Sequence, residues 1–318
     1  MGEMIVLHDP PESRHGRRPD DRPIEQLLHF GVFVADKPQG PSSHQVSAWV
    51  RDLLGLPRAG HAGTLDPRVT GVLPIALDNA TRAVDAMLEG DKEYVGVLQL
   101  HQDVEEARVR AMLERFTGEV WQTPPVRSAV KRELRTRWIY ELEPLEFDGR
   151  LTLFRTRCES GTYIRTLCND VGEALGVGGH MLDLRRTRTA TFPEAEAHSL
   201  LDLKDAHVVW KEDGDEAGLR RIVQPMESLL RHLPQIVVKD TAVDAICHGS
   251  NLAVPGVTKL SPGIKRGDLV ALLTGKGEGV ALANASMTTD EIVIAKSGIA
   301  ADSKRVLMDP GTYPKLWK

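Results

Sequence analysis

The stretch Arg58-Ala-Gly-His61-Ala-Gly-Thr-Leu-Asp66-Pro-Arg-Val-Thr-Gly71-Val-Leu-Pro74 sets one carboxylate, Asp66, between Gly63 and Pro67, with Gly60 and Gly71 further out. Glycine reaches backbone angles closed to other residues and proline fixes its own φ, so the pattern predicts a shaped loop and excludes a helix. A carboxylate on such a loop can be held stiffly with one open approach, as a nucleophile or general base requires. The alternative is a plain Asp-Pro surface turn. Against it stand the small or apolar surroundings and a second polar group, His61.

Outward from this loop the chain alternates strands and helices. Upstream, Gly31-Val-Phe-Val-Ala35 has strand composition and runs into Asp36-Lys37-Pro38-Gln-Gly40-Pro41-Ser42-Ser43, a turn followed by a helix start that Ser42 or Ser43 can cap. The helix over 45–54 places Val46, Val50, Leu53 and Leu54 on one face and stops at Gly55. Downstream, 71–77 reads as a buried strand, 80–88 as a helix, 92–100 as a strand carrying Tyr94, and 105–116 as a helix. Tyr94 reads as a packing residue or as a catalytic one. Strands follow at 139–147 and 151–159, joined by the turn Asp148-Gly149. Ser160-Gly-Thr-Tyr163-Ile-Arg165 then opens a helix in which Ile164, Leu167, Val171, Ala174 and Leu175 recur at helical spacing. Arg165 near its start is either a surface residue or a partly buried cation that needs an acidic partner, for which Asp66 is a candidate.

Between 127 and 137 five basic residues, Arg127, Lys131, Arg132, Arg135 and Arg137, face one acid, Glu133. That composition makes a solvated face or a flap over phosphates. Leu184-Arg-Arg-Thr-Arg188 forms a second basic cluster suited to a phosphate backbone. Residues 1–23, rich in Pro, Arg and Asp, read as an extended arm that is either solvated and mobile or a phosphate-binding segment. Residues 212–216 read as an acidic solvated loop, and 217–232 as a helix continuing past Pro225. Beyond Pro234, short strands at 235–238, 252–254, 269–273 and 280–285 suggest a small β-barrel or sandwich.

The chain has 318 residues, enough for two domains at about 150 residues each, and 41% hydrophobic and 27% charged residues fit an ordinary soluble protein. No apolar run approaches the ~20 residues that span a bilayer, so a cytoplasmic protein without membrane contact is expected. Three widely spaced cysteines, Cys158, Cys168 and Cys247, argue against disulfides and a Cys-based zinc site. No His-Glu-x-x-His is present. Gly176–Gly179 does not follow a strand as a dinucleotide fingerprint would, and Gly275–Gly279 lacks the spacing of a phosphate loop. Neither a metal nor a cofactor is expected. The net charge of −5 gives nucleic-acid binding no support in bulk, so any such role rests on local patches.

Five motifs, in order, resemble those of the TruB-type pseudouridine synthases: Asp36–Ser43, Gly60–Pro74, Lys92-Glu-Tyr94, Ser160–Leu167 and Leu184–Arg188. His248–Gly256 through Gly263–Asp268 resembles a PUA RNA-binding domain. With Pro124–Arg132 and Tyr313–Trp317, the chain is similar to the archaeal dyskerin-like subunits of box H/ACA ribonucleoproteins. The resemblance implies an α+β fold, a mixed, mainly antiparallel central sheet flanked by helices, over 24–233. A small β-barrel PUA domain would follow over 234–318, on which the arm has a surface to pack. It implies the isomerisation of uridine to pseudouridine in RNA without a cofactor. Asp66 would be the catalytic carboxylate, Arg165 its ion-pair partner, and Tyr94 the ring stacked on the base. His61 would help hold the flipped nucleotide, and Leu167 and Leu184 would wall the uracil pocket. Lys37 and the basic 127–137 segment, with Arg127, Lys131 and Arg132, would position or cover the RNA.

The implied partners are a guide RNA, a target ribosomal or transfer RNA, and the small H/ACA core proteins: a zinc-ribbon-type protein, a β-barrel protein and a kink-turn-binding protein. A stand-alone enzyme acting on the T-arm of transfer RNA and a non-catalytic RNA scaffold are the competing readings, and a glycosidase is a weaker one because only Asp66 has a motif. The sequence departs from the family pattern at Thr189-Ala-Thr-Phe192, where Ser-Gly-Pro-Phe is expected.

Overall fold

The computed structural model describes residues 3–8, 13–88, 90–124 and 131–315. Its first part comprises β1 Ile5–Val6, α1 Ile24–His29, β2 Gly31–Lys37, α2 Ser43–Leu54, β3 Ala59–His61, β4 Thr70–Leu77, β5 Lys92–Leu100, α3 Glu106–Arg115, β6 Gly118–Gln122, β7 Arg135–Asp148, β8 Leu151–Cys158, α4 Ile164–Ala174, β9 Gly179–Thr189, β10 Phe192–Pro193, α5 Leu200–Asp213, α6 Ala217–Ile222 and β11 Val223–Pro225. The second comprises β12 Gln235–Val238, α7 Asp240–Cys247, β13 Leu252–Ala253, β14 Val257–Leu260, β15 Leu269–Leu273, β16 Gly279–Ala285, α8 Thr289–Ile294 and β17 Ile299–Val306.

The larger sheet runs β11-β2-β4-β9-β5-β8-β7-β6 and is antiparallel except where β4 meets β9. It is the expected mixed, mainly antiparallel sheet. The β7–β8 hairpin turns at Asp148-Gly149, with Gly149 at φ 57°. The helix α2 is bounded as its composition dictates: Ser42 accepts from Gln45 N at 3.2 Å, and Gly55 closes the helix at φ 63°. The smaller sheet runs β1-β14-β12-β15-β16-β17-β13. A third apolar cluster joins the two: Val34, Val72, Ala76 and Phe192 pack with Leu229 and Leu230, with Leu269, Leu273 and Leu282 of the smaller sheet, and with Leu307 just past its β17. The two sheets therefore share core.

Several expectations are corrected. The basic run around Leu184, expected as a phosphate contact, is the interior of β9, the strand that joins β4 to β5. Its arginines hide the period-2 pattern: Leu184 and Arg186 alternate inward together, so an arginine occupies a core position. The helix expected over 217–232 ends at Ile222, because Val223–Pro225 pairs with β2, and Met226–Leu230 continues as a 3-10 turn. Asp78–Leu88 is likewise 3-10 rather than α-helical. Residues 212–213 complete α5, which Gly214 ends at φ 74°.

The arm is not a free segment over its described residues. Ile5 and Val6 pair with Leu260 and Lys259 as an added strand. Arg22 is buried and grips Glu227 with two bonds of 2.8 and 2.7 Å, so it cannot serve a phosphate. Residue 190, where the resemblance leads one to expect glycine, is an alanine at φ 48°, a region L-residues enter at a cost, and its Cβ leaves no room for a side chain at Gly90. The three cysteines are free and buried. Among the described residues, no helix is long and apolar enough to cross a membrane.

Candidate active site

The Asp66 loop is pinned at alternate residues by side chains from three elements. Arg186 of β9 donates from Nη2 to the Gly63 carbonyl at 3.0 Å. Ser43, at the start of α2, accepts from Leu65 N at 2.8 Å and donates to Leu65 O at 3.0 Å. Lys37 of β2 donates from Nζ to the carbonyls of Pro67 at 3.1 Å and Val69 at 2.7 Å, and to that of Pro38 at 2.8 Å. Within the loop, Val69 N bonds back to Asp66 O at 3.0 Å, and Leu65 and Val69 are buried on either side. Each bond satisfies a backbone group that a strand or helix would otherwise satisfy. Asp66 is the residue left between these fixings with its side chain out.

The loop's exit is secured by the same arginine. β4 pairs with β9 at Thr70 and Gly71, and with β3 from Ile75 to Leu77, leaving 72–74 without a strand on that side. Arg186 Nε bonds the Val72 carbonyl at 2.8 Å and Ala62 N bonds that of Pro74 at 2.9 Å, so the gap is closed without a ladder. Pro74, which lacks an N–H, falls in this gap.

Arg165, in the first turn of α4, forms an ion pair with the Asp66 carboxylate. Both side chains are about half exposed, 47% for Arg165 and 48% for Asp66, so the pair faces solvent rather than core. Tyr94 on β5 stands opposite Arg186 on β9 and Thr156 on β8. Burial raises the Tyr94 hydroxyl above its ordinary pKa, and the charge of the neighbouring Arg186 acts in the opposite sense. Leu167 and Leu184 are buried in the main core, and Leu184 lies over Gly96, where a Cβ would meet it at 2.8 Å.

His61 stacks edge-on against His44, with ring centroids 4.7 Å apart. Neither of its ring nitrogens has a hydrogen-bond partner among the described residues. Burial, with His44 and Arg186 nearby, pushes its pKa down to about 4, so the ring is neutral near pH 7. Lys92 is buried, bonded to the Met87 carbonyl at 3.1 Å, the Gly90 carbonyl and the Ser160 hydroxyl at 3.1 Å, with its pKa lowered by burial to about 8.

The structure pairs Arg165 with Asp66, sets Tyr94 opposite the arginine that holds the Asp66 loop, and buries Leu167 and Leu184 in the core that also takes Leu65 and Val69. His61 sits at the start of the same segment, against His44. The structure does not deliver Lys37 to an RNA. That side chain is fully buried and committed to three carbonyls, so it braces the loop from beneath. The second basic cluster is also committed: Arg185 binds Asp36 at 3.0 and 3.1 Å and pairs with Glu194, Arg186 is buried, and Arg188 bonds Ala190 O at 3.2 Å. Lys131 and Arg132 are exposed just before β7, where Lys131 pairs with Glu133. Arg127 lies outside the described residues. The residues that sequence reasoning missed are Ser43, read only as a possible helix cap, and Arg186, read as a phosphate contact. The signal for Arg186 was its alternation with Leu184.

Comparison with known families matches residues 51–164 to the N-terminal domain of the TruB family pseudouridylate synthases and 165–231 to the C-terminal domain of tRNA pseudouridylate synthase B. Residues 234–307 match the PUA domain and 7–47 the DKCLD domain. The chain is 55% identical over 306 residues, 96% of its length and 90% of the relative's, to a probable tRNA pseudouridine synthase B of Methanopyrus kandleri. It is 54% identical to the one of Methanocaldococcus jannaschii, over 99% of this chain and 95% of that one. Among solved structures it is similar to a chain of a Cbf5-Nop10-Gar1 complex, at 51% identity and a TM-score of 0.95 over 99% of this chain and 96% of that one. It is also similar to one in an H/ACA ribonucleoprotein bound to a substrate RNA containing 2'-deoxyuridine, at 48% identity and a TM-score of 0.93 over 99% and 97%.

Proposed function

Since the chain belongs to the TruB family of pseudouridylate synthases, we propose that it isomerises uridines in RNA as the catalytic subunit of a guide-directed box H/ACA ribonucleoprotein, in the cytoplasm. The enzyme class follows from the family: it is an RNA pseudouridine synthase. The observation that carries the site assignment is the exposed Asp66 carboxylate on a loop fixed at Gly63, Leu65, Pro67 and Val69 and paired with Arg165.

Pseudouridine formation breaks N1–C1′, turns the uracil and rejoins it through C5, with loss of the C5 proton and no net redox change. Asp66 would either attack the nucleoside or deprotonate a sugar intermediate, and Arg165 would keep it ionised and aimed. Because the reacting atoms belong to the base itself, the target uridine would leave its stack to be acted on. His61, neutral and with unpartnered nitrogens, would face it, Tyr94 would stack on it, and Leu167 and Leu184 would form the wall behind. Lys131 and Arg132 would meet phosphates.

Guide direction is supported by the similarity to chains of H/ACA complexes, which runs through the docked arm and the smaller sheet as well as the catalytic part. The companions of such a complex would be a zinc-ribbon-type protein, a β-barrel protein and a kink-turn-binding protein. The second reading, a stand-alone enzyme on the T-arm, is favoured by the names of the relatives. Purified protein assayed on a transfer RNA transcript, and on a ribosomal RNA fragment with and without guide RNA and companions, separates them. Modification of the fragment only with the guide is the expected result, and activity confined to the transcript would overturn it.

Because the Asp66–Arg165 pair is half exposed, its contribution to folding should be no more than ~1 kcal/mol. Arg165→Ala is therefore expected to unfold close to the parent in a urea titration, yet to lose pseudouridine formation by roughly 100-fold through lost orientation. A large drop in stability would mean that the pair is structural.

A further inference from the structure

Arg186 is fully buried, and among the described residues no carboxylate pairs with it. An uncompensated buried cation is costly, and a chain that keeps one gives it hydrogen bonds instead. Its Nε bonds Val72 O at 2.8 Å and its Nη2 bonds Gly63 O at 3.0 Å, the exit and entry of the Asp66 loop. It stands directly opposite Tyr94 across β5 and β9, and its charge acts on that hydroxyl. Lys37, Lys92 and His61 all feel its charge. Lys37 also holds the far side of the same loop. The loop and the tyrosine arise from segments far apart in sequence, and Arg186 links them: it bonds the loop at both ends and faces Tyr94 across the sheet.

We propose that Arg186 is a positioning residue for the isomerisation, holding the Tyr94 hydroxyl and the Asp66 loop in one frame through the planar fork of its guanidinium. The inference rests on the pseudouridine synthase reading and on the roles given to Asp66 and Tyr94. Lysine cannot reproduce it, because a single ammonium has no rigid fork to span two carbonyls while facing a hydroxyl. The substrate would be bound as before and the reacting groups misplaced, so the rate on bound RNA falls while affinity stays.

The test uses the protein assembled with guide RNA and companion proteins, and single-turnover tritium release from a target RNA carrying [5-³H]uridine. Arg186→Lys and Arg186→Gln are compared with the parent, alone and combined with Tyr94→Phe. The expected result is a loss of about 100-fold in rate for Arg186→Lys with RNA affinity within about threefold of the parent. In the Tyr94→Phe background the same change should cost clearly less than in the parent, because one of the two groups it positions, the hydroxyl, is gone while the loop remains. A full 100-fold loss in both backgrounds, a parental rate for Arg186→Lys, or failure of both Arg186 variants to fold would overturn the proposal by making Arg186 merely structural or irrelevant. A parent complex that releases no tritium would instead refute the functional reading.

Discussion

Asp66→Asn is expected to leave the folded protein and its RNA affinity unchanged and to reduce pseudouridine formation by roughly 10⁴-fold or more, as loss of a nucleophile or essential base does. The structure separates the two effects. The loop is held through the backbone of Gly63, Leu65, Pro67 and Val69 by Arg186, Ser43 and Lys37, and none of these bonds uses the Asp66 carboxylate. Half of that side chain faces solvent, so no core packing depends on it. Asparagine keeps the shape and one acceptor for Arg165 but loses the charge and the basicity. Thermal unfolding, filter binding of the target RNA and tritium release on the same preparation check all three statements. Retained turnover would remove Asp66 from the chemistry, and a marked loss of stability would show that its carboxylate helps to hold the loop.

The loop was legible in the sequence because its geometry is written in residue types: glycines and a proline around one acid leave few backbone paths. The outer bounds of α2 were legible for the same reason, in Ser42 and Gly55. Arg186 and Lys37 were not. Both are cations inside a core, and composition assigns cations to water or phosphate; only tertiary packing, which surrounds them with carbonyls from strands distant in sequence, reverses that preference. β9 was misread with Arg186, since a strand whose inward positions alternate Leu184 with an arginine has no apolar periodicity to detect. The arm failed differently. Ile5 and Val6 are too short a run to show a strand, and they become one only because β14 offers an edge. Arg165 was legible as either a surface residue or a partly buried cation with Asp66 as a candidate partner; the structure pairs the two and leaves both half exposed.

Gly71→Ala is expected to destabilise the fold by about 3 kcal/mol or more, and to lower activity further than the fraction unfolded accounts for. Gly71 pairs with Lys37 of β2 on one side and Arg186 of β9 on the other, at the single place where β4 and β9 run parallel. Its φ is 101°, and a Cβ there would lie 2.2 Å from the Arg186 carbonyl oxygen and 3.0 Å from the Arg186 N and C. Left-handed strain alone costs an alanine about 1 kcal/mol, and forcing backbone apart adds about 1–3 kcal/mol more. The obstacle is main chain, with no flexible side-chain end to swing away, so β9 itself must retreat. Retreat of Arg186 draws its guanidinium from Gly63 and Val72, the contacts that frame the loop. Gly55→Ala provides the control, since Gly55 has φ 63° but open space where its Cβ would go. Strain without collision should cost that variant about 1 kcal/mol and none of the catalytic rate. Guanidinium unfolding and single-turnover rates of the two variants decide the matter: equal shifts in both would mean that conformation at Gly71, not the close approach of Arg186, sets the requirement for glycine.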